Sequence, residues 1–162
     1  MAFAEKSIEI NVPIRTAYNQ WTQFESFPQF MEGVQDVRQL DDKRLRWRAR
    51  VGGKEETWEA DIVEQTPDQV IAWRSTSGAE NAGRVTFIPL DANRTRVTVR
   101  LDYDPQGVVE SAGDALGFMD RRVEGDLQRF KEFIEERDIA TGAWRGEIHG
   151  GQVDRGAGEL PS

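Results

Sequence analysis

The sequence predicts an α+β domain in which seven antiparallel strands are covered by one long carboxy-terminal helix. Two observations carry this. Apolar residues alternate with period two from Val34 to Tyr103, interrupted by turn signals, and then recur at spacings of three and four from Leu116 to Ile134. An alternating segment with two short aromatic units precedes both. The length of 162 residues suits one domain with a core of its own.

From Lys6 to Val12, Ile8, Ile10 and Val12 alternate with Ser7, Glu9 and Asn11, the pattern of a half-buried strand. Pro13 follows, where a first helical turn tolerates a missing amide hydrogen. Ala17, Tyr18, Trp21 and Phe24 then fall at helical spacing, before the second unit Phe27-Pro28-Gln29-Phe30-Met31. Two short helices are expected, broken near Ser26 to Pro28.

The period-two region divides into six strands at Asp41-Asp42-Lys43, Gly52-Gly53, Pro67-Asp68, Ser77-Gly78 and Asp91-Ala92-Asn93. A two-residue turn at Gly52-Gly53 pairs Val51 with Lys54 and fixes the register of its hairpin. Arg50 then opposes Glu55, Arg46 opposes Glu59 and Arg44 opposes Asp61, while Trp47 meets Trp58 and Leu45 meets Ala60 on the other face. A slip of one residue would break both patterns. The same parity puts Ile62, Ile71, Trp73, Val85, Phe87, Val97, Val99 and Leu101 on the tryptophan face. In the strand from Val34 to Leu40, Val34 and Val37 cannot both point inward without a bulge or an earlier turn, so its facing stays open.

After Asp104-Pro105, the residues Leu116, Met119, Val123, Leu127, Phe130 and Ile134 form one apolar helical stripe, which the sheet is expected to cover. Gly113, Gly117 and Gly125 predict a looser first half. Beyond Asp138 the chain turns to glycine and polar residues, so the expected division is a domain over 1–137 and a flexible tail over 138–162. Trp144 and Ile148 are the exceptions there, suited to packing on the domain or on a partner.

Composition narrows the function. A net charge of -8 disfavours nucleic acid, whose phosphates it repels. The absence of cysteine removes disulfides and thiolate chemistry. The single histidine, His149, lies in the tail, so neither a histidine metal site nor a Ser-His-Asp triad is expected within the chain. No cofactor or metal is expected. No apolar run approaches the roughly 18 residues of a membrane span, and the expected location is cytoplasmic.

The order of elements is that of the helix-grip fold, and the chain from about Lys6 to Arg137 resembles the polyketide cyclase/dehydrase branch of the START-like SRPBCC superfamily. The residues that carry the resemblance are Ile8 to Pro13, Trp21-x-x-Phe24-x-x-Phe27-Pro28-x-Phe30-Met31-x-Gly33-Val34, Trp58 to Ile62, Ile71-Ala72-Trp73 and Leu127-x-x-Phe130-x-x-Phe133-Ile134. The resemblance implies a curved sheet wrapped around the long helix and a deep apolar cavity between them, which in family members holds a sterol, lipid, quinone or polyketide. It does not fix the activity, because most of these residues are core positions.

Trp47, Trp58 and Trp73 share a face on adjoining strands and read either as an aromatic cavity wall or as core filling. Phe87, Val99 and Leu101 on the sheet and Gly113, Leu116, Gly117, Met119 and Val123 on the helix complete the expected wall, with Gly113 and Gly117 read either as a lid hinge or as close-packing positions. Glu56 falls on the tryptophan face near the hairpin turn, so it either reaches solvent at the rim or lines the cavity as an acid. Ser75 and Tyr103 end strands on the same face and offer hydroxyls. Arg44, Arg46, Arg48 and Arg50 read as a solvated outer row. The expected function is binding of a hydrophobic small molecule; the alternatives are an aromatase/cyclase using Glu56 and Tyr103, and a protein-interaction module acting through the tail around Trp144.

Overall fold

The computed structural model describes residues 2–51, 54–78, 80–104 and 112–154, and within these all side chains except those of 51 and 112–116. Strand β1 (Ala2–Ile10) leads into helix α1 (Ile14–Trp21) and a 3₁₀ helix (Phe24–Gln29). Six strands follow: β2 (Val34–Gln39), β3 (Arg44–Val51), β4 (Lys54–Thr66), β5 (Val70–Gly78), β6 (Asn81–Asp91) and β7 (Arg94–Tyr103). The long helix α2 (Ala112–Arg137) comes next, and then the short strands β8 (Glu147–His149) and β9 (Gln152–Asp154). The seven main strands run antiparallel in the order β1-β7-β6-β5-β4-β3-β2, so the first strand closes on the last of the meander. This is the helix-grip architecture, extended by β8 and β9 to nine strands.

The β3–β4 register is the expected one, with Arg50 opposite Glu55, Arg46 opposite Glu59, Arg44 opposite Asp61 and Trp47 opposite Trp58. The turn residues 52 and 53 lie outside the described residues. The four arginines of β3 are exposed, and Arg46 reaches Glu59 at 3.7 Å, while Leu45, Trp47 and Ala49 between them are buried. The register of β2 shifts between Val34 and Asp36, which lets Val34 and Val37 both turn inward. Further shifts in β4, at Glu59/Ala60 and Ile62/Glu64, bend that long strand.

Helix α2 lays its stripe on the inner face of the sheet, packing chiefly along β1. Met119, Val123, Leu127, Phe130 and Ile134 are all buried, and they meet Ile62, Ile71, Val85 and Val97 in one core. One end of this layer is closed by α1 and the 3₁₀ helix. There Trp21 lies 5.2 Å from Phe27, 5.7 Å from Phe30 and 5.0 Å from Phe130, in tilted and edge-on contacts that interdigitate side chains from three elements.

Two local expectations shift. Pro13 precedes α1 as its extended cap rather than opening its first turn, with its carbonyl accepting from Ala17 N–H at 3.1 Å. The helical break falls at Thr22-Gln23, not near Ser26 to Pro28, because a 3₁₀ turn accommodates Pro28 and continues to Gln29.

The segment from Asp138, expected to be mobile, is docked as far as Asp154. Asp138 ends α2 with a left-handed backbone (φ 62) and donates its N–H to Ile134 O at 2.8 Å. Gln20 of α1, fully buried, exchanges two hydrogen bonds with Thr141, at 2.9 and 3.0 Å. Thr22 Oγ1 accepts from Trp144 N–H at 3.0 Å, and Arg145 bonds Asn19 Oδ1 at 2.6 Å and pairs with Asp68 at 2.8 Å. Strand β8 then adds to β4 opposite Glu64 and Gln65, burying Ile148 completely. The physical reason is polar: α1 buries side chains that need partners, and this segment supplies them.

Candidate functional site

Away from the end packed by α1, the space between sheet and α2 is hollow. A cavity of about 120 Å³ lies there. Its sheet wall is aromatic: Trp47 lies parallel to Trp58, with centroids 5.8 Å apart and planes 7° apart, and stacks on Trp73 at 5.7 Å and 24°. Three neighbouring strands present one tryptophan each, and the rings stack in the order Trp58, Trp47, Trp73, with Phe27 tilted against Trp47 at 5.7 Å and Phe24 edge-on against Trp73 at 6.4 Å. Gly83 makes this possible on β6. It sits opposite Trp73, and a Cβ there would come within 2.4 Å of the indole.

Val99 and Leu101 of β7, Ala49 of β3 and Val34 at the β2 bulge extend the apolar wall, and Met119, Val123 and Leu127 of α2 face it. Trp21 and Met31 close it towards the packed end. The indole N–H groups of Trp21, Trp47 and Trp58 are buried without a hydrogen-bond partner among the described residues.

One side of the cavity is charged. Arg122, Asp126 and Glu32 line it together. The spacing of Arg122, Asp126 and Arg129 places all three on one face of α2, opposite the turn that joins the 3₁₀ helix to β2. Arg122 donates to Glu32 O at 2.8 Å, Arg129 donates to Phe30 O at 3.1 Å, and Glu32 N–H donates to Asp126 Oδ1 at 3.0 Å. Arg129 also donates to the same Asp126 oxygen and pairs with Glu32 at 3.4 Å. The turn needs Gly33, whose φ is +84 and whose Cβ would fall 2.4 Å from Arg122 Nη1. Burial pushes the Asp126 carboxyl up to about 6, outweighing the opposing pull of Arg129 and the Glu32 amide.

Of the expected wall, the structure brings Trp47, Trp58, Trp73, Val99, Leu101, Met119 and Val123 to the cavity. Five other residues lie away from its lining. Phe87 is buried edge-on against Tyr18, at 5.4 Å. Ser75 Oγ accepts from Asn81 N–H at 3.0 Å, tying β5 to β6. Gly117 is half-buried on α2, where an added Cβ would meet Arg121 at 3.3 Å. Glu56 is half-buried near the hairpin end. Tyr103 is buried where β7 ends between β1 and β6, also outside the lining, and burial raises its phenol above the usual range. Gly113 and Leu116 fall outside the described side chains.

Sequence reasoning missed Trp21, Met31, Glu32, Arg122 and Asp126 as lining residues. The i, i+4 pair Arg122/Asp126 beside the apolar stripe was the available signal. Among the described residues no group of three His, Asp or Glu side chains is placed to hold a metal, and no helix is long and apolar enough to cross a membrane.

Comparison with known proteins agrees with this architecture. An uncharacterized 17.2 kDa protein of Streptomyces lincolnensis, from the melC2-rnhH intergenic region, is 50% identical over 149 residues, 91% of this chain and 99% of that protein. The crystal structure of DR_A0006 from Deinococcus radiodurans is 30% identical and superimposes with a TM-score of 0.66 over 85% of this chain and 100% of that one. The Zhui aromatase/cyclase from Streptomyces sp. R1128 shares the fold, with a TM-score of 0.70 at 19% identity over 88% of this chain and 98% of that one. Residues 10–132 match the family model described as polyketide cyclase / dehydrase and lipid transport, and the chain belongs to that family.

Proposed function

We propose that the protein binds a hydrophobic small molecule in the cavity between the sheet and α2, with Trp47, Trp58 and Trp73 as its wall. The observation that carries this reading is the parallel stack of indoles facing an unfilled space, at the position where the family's fold encloses its ligands. A ligand burying roughly 200 Å² of apolar surface gains about 5 kcal/mol at ~25 cal/mol per Å², before association costs. Apolar burial alone therefore gives an affinity no tighter than about 0.2 mM, and polar contacts must supply anything beyond it.

Native mass spectrometry of freshly purified protein, followed by solvent extraction of whatever is released, tests this reading. A bound organic mass, reduced in Trp58→Ala, is the expected result. A retained mass unaffected by that substitution would move the ligand elsewhere.

A second reading, aromatase/cyclase activity, is favoured by one observation: Asp126 combines a place in the cavity wall with a carboxyl pushed up to about 6. Such a group takes and returns protons near neutral pH, which enolisation and dehydration of a ketone require. Asp126 replaces Glu56 and Tyr103 as the leading proton-transfer group, because neither lines the cavity. Solvent-deuterium exchange into the α position of α-tetralone, followed by NMR, tests it. The reading expects catalysed exchange that falls at least 100-fold in Asp126→Asn, and equal rates in the two proteins would remove Asp126 from the chemistry.

A further inference from the structure

We infer that the carboxy-terminal hairpin β8–β9 is fastened to the sheet by a proton: charged His149 clamps Glu64 of β4 and Glu147 of its own strand together, and the hairpin loosens when that proton leaves. His149 Nδ1 lies 3.2 Å from Glu64 Oε2, and Nε2 lies 2.8 Å from Glu147 Oε1. A neutral imidazole carries one N–H and one lone pair, so it donates to one carboxylate and turns its lone pair on the other. Only the imidazolium donates at both nitrogens and offsets the two negative charges.

The other charged groups nearby leave that role to His149. Lys43, from the turn between β2 and β3, donates Nζ to Gly151 O at 3.0 Å, and Arg145, which precedes β8, is engaged by Asp68 and Asn19. On β9, Asp154 stands opposite Glu147, and Gln152 stands opposite His149. Glu147 and then Glu64 hold the imidazole above the usual histidine range. The clamp's contribution is therefore complete below a pH of about 6.5, where the histidine of an unfolded chain is charged too, and is lost as pH rises through the higher folded value.

The attachment itself is short. Strand β8 has three residues and pairs with β4 at Glu64 and Gln65, and Gly151 N–H donates to Val63 O at 3.1 Å. The burial of Ile148 favours docking. Opposite it, the Gln65 side-chain amide is buried and makes no hydrogen bond among the described residues, so opening the hairpin returns that amide to water. These terms oppose each other, and one proton then shifts the equilibrium between docked and open.

The test combines an NMR titration of the single histidine with amide exchange on the full chain. The His149 ring is expected to titrate above the 6.5 of an unperturbed histidine, and to fall back towards it in Glu64→Gln. The protection factor of the Gly151 amide, which already corrects for faster exchange in base, should drop at least threefold between pH 5.5 and pH 8.5. Trp144 N–H, held by the Thr22 hydroxyl, should stay within about twofold over the same range. In His149→Gln the Gly151 drop should vanish.

A His149 titration at or below 6.5, a Gly151 protection factor independent of pH, or the same drop in His149→Gln would each overturn the inference. Equal loss of protection at Gly151 and Trp144 would overturn it too, because the whole docked segment, and not the hairpin, would then be opening.

Discussion

At the end of the molecule covered by α1 and the 3₁₀ helix, Trp21 packs against Phe27, Phe30 and Phe130 with ring planes 47° to 70° apart. Beside this cluster Trp47, Trp58 and Trp73 stack nearly parallel on three neighbouring strands, with Phe27 tilted against Trp47 and Phe24 edge-on against Trp73, so that it is Trp58 that stands clear of the 3₁₀ helix. The residue types are the same, and the difference lies in where they originate. Rings from three separate elements approach from different directions and fill the volume between them. Rings from adjoining strands of one sheet stack in parallel, and where Phe24 and Phe27 do not cover them the space in front is left for α2 or a ligand to occupy. Aromatic content alone therefore does not distinguish core from cavity wall.

The largest effect is expected at the packed end. Phe130→Ala removes a fully buried ring that touches both Trp21 and Phe30, and should cost about 3–5 kcal/mol in urea denaturation. Gly83→Ala acts on the wall from behind, since its methyl would meet the Trp73 indole at 2.4 Å. A loss of about 1–3 kcal/mol is expected, together with weaker ligand binding as the ring is displaced.

Asp126→Asn should work in the opposite direction. The folded state holds the Asp126 proton up to a pH of about 6, while the unfolded chain releases it near 4. Between those values the unfolded state binds fewer protons, so this group's contribution lowers stability as pH rises. Denaturation at pH 4 and pH 7 should show little difference between the proteins at the lower pH, and a gain of about 1–3 kcal/mol for Asp126→Asn at the higher. Trp58→Ala should be the mildest for stability, about 1 kcal/mol, because its ring is half-buried and faces the hollow. Its ligand affinity should nevertheless fall at least tenfold. If Trp58→Ala proved as costly as Phe130→Ala, the two ends would be equally packed and the contrast would disappear.

The sheet was legible where charge and hydrophobicity constrained it together. In the β3–β4 hairpin, three opposed arginine-acid pairs and one tryptophan pair all depend on a single register. Val34 and Val37 conflicted by parity, which left a bulge or an earlier turn open, and the structure resolves the conflict with a bulge between Val34 and Asp36. The docking of residues 138–154 was legible only in Trp144 and Ile148, because its other anchors are polar partners over a hundred positions apart, such as Gln20 with Thr141. Asp126 was hidden for a related reason. A carboxylate beside Leu127 on a charged helix reads as solvated, and only the folding of the Phe30 to Gly33 turn onto α2 buries it. Glu56 shows the converse: it has the parity of the tryptophan face, but it stands near the hairpin end, beyond the cavity.

The hollow between Trp58 and α2, and not the ring cluster around Trp21 and Phe130, is expected to receive a small molecule. Methyl-labelled protein titrated with 1,4-naphthoquinone addresses this directly by NMR. Shifts at the methyl groups of Met119, Val123, Val99 and Leu101, with Ile10 and Ile134 unmoved, are the predicted result. Saturation without movement of the first four, or shifts centred on Ile148 and the docked carboxy-terminal segment, would contradict it.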